Sequence, residues 1–212
     1  MKPLYIIGAG GAAKEILLLI KEINAVKPIY NFKGFVDFSD KKIEIGKIQY
    51  DIINESVFLK YNHKVAVVFG VADTSRKKKI IDLYQQKKNF EFPNIVHPSV
   101  KLNNSVSLGK GNVISTHCVF TVDIALGAFN YVNRGVHIGH DCVINSYNVI
   151  NPCAVISGGV LLGDENLIGT NATILQYLKI GSKSKIGAGA VVTKDVQNNS
   201  CMIGVPAKKI ER

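Results

Sequence analysis

Two different rhythms of apolar residues divide this chain. From Leu102 to Val192 every sixth residue is apolar, running through Leu108, Ile114, Phe120, Leu126, Val132, Ile138 and Ile144 to Ile180 and Ile186 without a slip. Fifteen of the sixteen positions are aliphatic and one is Phe. With about a third of residues aliphatic, chance produces such a run on the order of once in 10⁷ to 10⁸ trials. A fixed six-residue period predicts a parallel β-helix of hexapeptide repeats, each repeat supplying one short strand and one corner of a triangular prism. Small or apolar residues two positions earlier (Val106, Cys118, Val136, Cys142, Ala154, Val160, Ala172, Ala190) fit beside the corner aliphatic. Glycine often follows it, as at Gly109, Gly127, Gly139 and Gly163, where the expectation is that it eases the turn. Three repeats make a coil of 18 residues, so residues 18 apart should stack.

Before this region the rhythm alternates. Pro3 to Ile7 is a short apolar run ending in Gly8-Ala9-Gly10-Gly11, and Ala12 to Ile23 has helical spacing. Gly34 to Asp37 and Lys64 to Gly70 read as further strands, and Thr74 is placed to cap a helix through Tyr84. Strand, glycine turn, helix and strand in alternation predict a parallel sheet of about three strands. Pro93 and His97-Pro98 mark the boundary. The expected fold is a small α/β, Rossmann-like N-terminal domain over residues 1–92, followed over residues 93–212 by an all-β, left-handed parallel β-helix with a C-terminal tail.

Composition narrows the setting. The chain is 47% hydrophobic and 20% charged, which suits a globular protein. No apolar run reaches the roughly 20 residues of a membrane span, so no membrane insertion is expected. The opening apolar stretch is too short for a secretory signal, and a cytoplasmic protein is expected. The cysteines (Cys118, Cys142, Cys153, Cys201) show neither metal nor disulfide spacing and read as small buried hydrophobes; no metal is expected. The net charge of +10 comes from scattered lysines, with one run at Arg76-Lys77-Lys78-Lys79 that reads as a solvated helix face. Without a basic patch interleaved with aromatics, no nucleic-acid partner is expected. The balance suits small polyphosphate ligands.

The candidate chemistry lies at Asn133-Arg134-Gly135-Val136-His137-Ile138-Gly139-His140-Asp141. Ile138 points inward, so His140 should lie near the surface. Eighteen residues on stand Gly158-Gly159, which present bare backbone. A general base beside exposed N–H groups is what acyl transfer requires, and Asp141 is placed to orient the imidazole. His137 also faces out and rivals His140. In the front domain, Gly8 to Gly11 follow a strand and open a helix, an arrangement that cradles phosphate. Ala13 occupies the third glycine position of the dinucleotide fingerprint, and Asp37 ends the second strand. Half a dinucleotide fold argues for a mononucleotide. Flat prism faces leave clefts between neighbouring prisms, which a trimer would supply three times.

With these residues in place, the whole chain resembles bacterial sugar acetyltransferases of the sialic acid O-acetyltransferase type. Among them it looks closest to the nucleotide-sugar N-acetyltransferases that act on UDP-linked 4-amino-4,6-dideoxy sugars. The resemblance is carried by Ile6-Ile7-Gly8-Ala9-Gly10-Gly11, Gly34-Phe35-Val36-Asp37, Gly139-His140-Asp141 and Gly204-Val205-Pro206-Ala207-Lys208. It implies His140 as general base with Asp141 as its partner and Asn133 nearby. It implies acetyl-CoA along Gly158, Thr170 and Ala188 with Lys208 near its phosphates, a nucleotide sugar around Gly8, Gly10, Gly11, Asp37 and Gly70, and a homotrimer. Relatives often carry His where this chain has Ala12 and Val149. Acetylation of a sugar hydroxyl, and a non-catalytic subunit that binds nucleotide sugars, are the alternatives.

Overall fold

The computed structural model describes residues 1–39 and 42–211. The chain divides into two compact units, Met1–Ile95 and Val96–Arg212.

The first unit is a parallel sheet with helices. Its strands are β1 (Lys2–Ile7), β2 (Tyr30–Asp37), the hairpin β3 (Ile43–Ile45) and β4 (Ile48–Tyr50), β5 (Ile52–Asn54), β6 (Val65–Phe69) and β7 (Phe90–Glu91). The helices are α1 (Gly11–Val26), α2 (Glu55–Phe58) and α3 (Thr74–Gln85). The sheet order is β5-β2-β1-β6-β7, with every pairing parallel. Five strands form where the apolar pattern predicts three, because β5 and β7 are edge strands too short to carry a periodicity of their own. β1 and β6 are the centre. Leu4 to Ile7 and all of β6 are buried, as expected where helices cover both faces of a parallel sheet. α1 lays Ala13, Ile16, Leu17, Ile20 and Ile23 inward at helical spacing. α3 is capped by Asp73 rather than Thr74: the Asp73 carboxylate accepts the Arg76 N–H at 2.8 Å. The basic run is only partly a solvated face, since Lys77 points inward and is 3% exposed. Burial there pushes its ammonium down to about 7.

The second unit is the left-handed parallel β-helix that the hexapeptide period predicts. Two- and three-residue strands stack into three parallel faces with partners 18 apart, such as Ile114 with Val132, Ile138 with Ile156 and Leu162 with Ile180. Every in-phase residue from Ile114 to Val192 is buried in one cluster, and Leu102 and Leu108 pack against it. After Val192 the coil shortens: Ile186 pairs with Met202, 16 residues on, which is why the six-residue count stops there. Cys201–Ile203 then pairs antiparallel with Lys208–Lys209 to close the face.

The glycines after the aliphatic positions have a different role from the one their sequence position suggests. They do not make the turn. The left-handed backbone recurs two residues later, at every sixth residue from Gly111 to Gly189, and includes His117, Asp123, Asp141, Asn171, Tyr177 and Lys183. The glycines after the aliphatics instead permit close stacking of coils. A Cβ on Gly139 would meet the Gly158 nitrogen at 2.5 Å, and one on Gly109 would meet the Gly127 carbonyl carbon at 2.7 Å. Asn112, Asn130, Asn148 and Asn166 form a buried ladder at the 18-residue step. Each Oδ1 accepts the backbone N–H of the residue stacked on it, ending at Ser184, at 2.8 to 2.9 Å. Of the four cysteines, all free, Cys118 and Cys142 are buried as expected, while Cys153 is exposed and Cys201 intermediate. Position 153 is one of the left-handed corners, and its side chain lies on the surface.

Candidate functional site

The corner that follows strand His137–Ile138 carries a paired histidine and aspartate. Successive residues of a strand point to opposite faces, but the left-handed backbone at Asp141 (φ 57°) lets His140 and Asp141 both project outward. Their side chains are 49% and 63% exposed, and His140 Nδ1 lies 2.7 Å from Asp141 Oδ2. That contact assigns the proton to Nδ1 and leaves the Nε2 lone pair free. The imidazole lies directly over Gly158: a Cβ there would meet ring atoms Cε1 at 2.6 Å and Cδ2 at 2.9 Å, with Nε2 nearer still. Stacking 18 residues apart therefore holds for this pair. The Gly159 N–H is already used, donating to the His140 carbonyl at 2.7 Å. The Gly158 N–H has no hydrogen-bond partner among the described residues. A half-exposed base thus stands against one unspent backbone donor.

The other residues singled out by sequence separate into groups. His137 is exposed on the adjoining strand, paired in register with Val119 and Val155. Asn133 lies at the preceding corner, nearly buried, with its Oδ1 accepting the Arg134 N–H at 2.8 Å. No contact joins it to His140 among the described residues. Thr170 and Ala188 stack on each other at the corner Asn133 belongs to, two corners removed from Gly158 along the chain, and both are exposed. Lys208 is exposed in the closing strand pair. Val149 is 1% exposed within its strand. Sequence reasoning missed Tyr177, whose ring packs over Gly159, with Cε1 at 2.7 Å from where a Cβ would stand. Its signal was the 18-residue step from Gly159.

In the front unit the strand ends converge, as ligand sites do in open α/β sheets. Gly8, Asp37 and Gly70 follow or end β1, β2 and β6, and all three line a cavity of about 280 Å³ together with Gly10, Gly11, Ala12, Glu55 and Arg76. The glycines divide by cause. Gly8 (φ +100°) would drive a Cβ to 2.9 Å from the Gly70 carbonyl oxygen, and Gly70 would drive one to 2.6 Å from Ala13 Cα, so both are required by packing. Gly10 and Gly11 face open space, and side chains there would enter the cavity. Asp37 fixes the loop, accepting the Ala9 N–H at 2.9 Å on one oxygen and the Phe38 N–H at 2.7 Å on the other. Burial raises the Glu55 carboxyl above the usual carboxylate range, with the Tyr84 hydroxyl partly offsetting it. Among the described residues no three metal-ligating side chains cluster, and no helix is long and apolar enough to cross a membrane.

A register-perfect hexapeptide prism with a histidine–aspartate pair on one corner is an arrangement suited to acyl transfer. Residues 3–84 match the family model of the PglD N-terminal domain. No curated protein matches the chain at a significant level. Among solved structures, a mutant of perosamine N-acetyltransferase from Caulobacter crescentus, in complex with CoA and GDP-perosamine, is 22% identical with a TM-score of 0.87, covering 100% of this chain and 98% of its own. The acetyltransferase domain of PglB from Neisseria gonorrhoeae, in complex with acetyl coenzyme A, is 25% identical with a TM-score of 0.86, covering 99% of each chain. WeeI from Acinetobacter baumannii is 23% identical with a TM-score of 0.83, covering 99% of this chain and 100% of its own. In architecture the chain is similar, over its whole length, to these solved structures, and residues 3–84 carry the PglD N-terminal domain.

Proposed function

We propose that this protein transfers the acetyl group of acetyl-CoA to the 4-amino group of a nucleotide-linked 4-amino-4,6-dideoxy sugar, with UDP as the nucleotide and His140 as the base. One observation carries the reading: His140, held through Nδ1 by Asp141, presents a free Nε2 directly over Gly158. The amine nitrogen attacks the thioester carbonyl carbon while Nε2 removes the proton that the amine must lose. The Gly158 N–H donates to the developing oxyanion. The carbon–sulfur bond then breaks, and the imidazolium returns its proton to the CoA sulfur. Transfer is direct and leaves no acyl-enzyme.

Acetyl-CoA lies along the prism by Gly158, Thr170 and Ala188, with Lys208 near its phosphates. Because Thr170 and Ala188 occupy a different corner from Gly158, one donor contacts both sets in a cleft between two copies, which a homotrimer supplies. The front unit holds the nucleotide at Gly8, Gly10, Gly11, Asp37 and Gly70. Two relatives of the same architecture support donor and acceptor class: one is complexed with acetyl coenzyme A, the other with CoA and GDP-perosamine.

The test is release of free thiol from acetyl-CoA with UDP-, GDP- and dTDP-linked 4-amino sugars, alongside free sialic acid. Turnover with the UDP-linked amine is expected. Activity on sialic acid alone would replace N-transfer by O-transfer, and thiol release from none of them would leave a non-catalytic binding subunit. His140→Ala is expected to lower kcat by about 10²- to 10⁴-fold with acetyl-CoA affinity unchanged.

A further inference from the structure

The front cavity contains a charge that the glycine loop does not explain. α1 opens it without a side-chain cap and without an acidic residue in its first turn, and its first intrahelical bond is donated by Lys14 to Gly10. The N–H groups of the first turn are therefore open donors at the positive end of a 16-residue helix. Gly10 and Gly11 keep the approach to them clear. Across the cavity stands α3, whose own N-terminus is occupied by the Asp73 carboxylate. Its contribution is Arg76, the one cationic side chain among the described residues that line this cavity. Two acidic residues alongside it are committed elsewhere, Asp37 to the Ala9 and Phe38 N–H groups and Asp73 to the cap, while the third, Glu55, is buried. Arg76 makes no ion pair among the described residues.

We infer that Arg76 is a binding residue for the diphosphate of a nucleoside diphosphate, clamping it against the open N-terminus of α1. A guanidinium suits this position because its planar fork bonds two phosphate oxygens at once. The helix end supplies fixed donors on one side and Arg76 supplies full charge on the other. The inference rests on the reading of this cavity as a nucleotide site and adds the residue that distinguishes diphosphate from nucleoside.

Calorimetric titration of the full chain with UDP, UMP and uridine tests it, with GDP as a second diphosphate. Arg76→Ala is expected to weaken UDP and GDP by about 10- to 30-fold, UMP by less, and uridine not at all. Arg76→Lys should recover part of the loss, and acetyl-CoA binding should stay at the wild-type value. With nucleotide sugar, KM should rise and kcat should hold. Arg76 is exposed, so both variants are expected to fold, as circular dichroism will check. UDP binding by Arg76→Ala within twofold of wild type would overturn the inference while leaving the nucleotide site standing. An equal loss for uridine would overturn it too, since Arg76 would then act on the nucleoside or on the loop. If the wild-type chain bound no nucleoside diphosphate, the nucleotide reading of the cavity would fall, and Arg76 with it.

Discussion

Replacing Gly158 by alanine isolates the geometry on which catalysis is argued to depend. The added methyl would lie 2.6 Å from His140 Cε1 and 2.9 Å from Cδ2, inside any real carbon–carbon contact. Gly158 does not have the left-handed backbone, so alanine strains nothing at φ. The yielding group is the imidazole, which is half-exposed and can swing into solvent by giving up its exposed bond to Asp141. The steric cost is then about 1 kcal/mol or less and is offset by the roughly 0.4–1 kcal/mol that Gly→Ala contributes through the unfolded chain. Tm should shift by no more than a few degrees. Swinging away separates Nε2 from the Gly158 N–H, so the base leaves the oxyanion donor. The expected fall in kcat is about 10²-fold or more, approaching that of His140→Ala. The decisive measurement is the double variant, because residues acting as one unit are non-additive. His140→Ala/Gly158→Ala should be no slower than His140→Ala by more than about threefold. Losses that multiply would mean the methyl acts on the donor or its pantetheine arm, and near-wild-type turnover in Gly158→Ala would refute the geometry altogether.

Three further outcomes follow from the structure. Gly11→Ala should fold normally, since a Cβ there meets nothing, yet weaken nucleotide binding by about tenfold in calorimetry by intruding on the first turn of α1. Asn148→Ala should lower stability in urea unfolding by about 2–4 kcal/mol, because it strands the buried Asn166 N–H and removes the Asn130 and Asn145 contacts. Lys77→Met should stabilise the chain at pH 7 by at least about 1 kcal/mol, with a smaller gain at pH 10. The sign follows from its depressed value of about 7: between there and 10.5 the unfolded chain holds a proton that the folded chain lacks, so wild-type stability rises with pH. Urea midpoints at the two pH values check this, and a gain independent of pH would refute it.

The prism was legible in the sequence because its cause is local and repeated. Each coil needs one large residue per corner, so Ile114 to Val192 had to recur every sixth position, and the stacking of His140 on Gly158 followed from multiplying by three. Residues whose role is set by the neighbouring coil were less legible. Gly139 reads as a turn residue but is there for close approach, and the asparagine ladder has a period of 18, longer than any window that detects a strand. In the front unit, β1, β2, β6 and α1 showed through their own patterns, while β5 and β7 are short edges defined only by the strand they pair with.

Apolar spacing decides what a chain can bury, so the change of period, the class of both units and the pairing of a base with bare backbone were all written in residue order. Which polar groups remain available was settled only by folding. Tertiary contacts committed Asp37 and the Gly159 N–H to backbone bonds, left the Gly158 N–H unspent, turned Lys77 inward and set Arg76 on the cavity. Hydrogen bonds and charges are taken up by partners distant in the chain, and no local pattern records which partner arrives first.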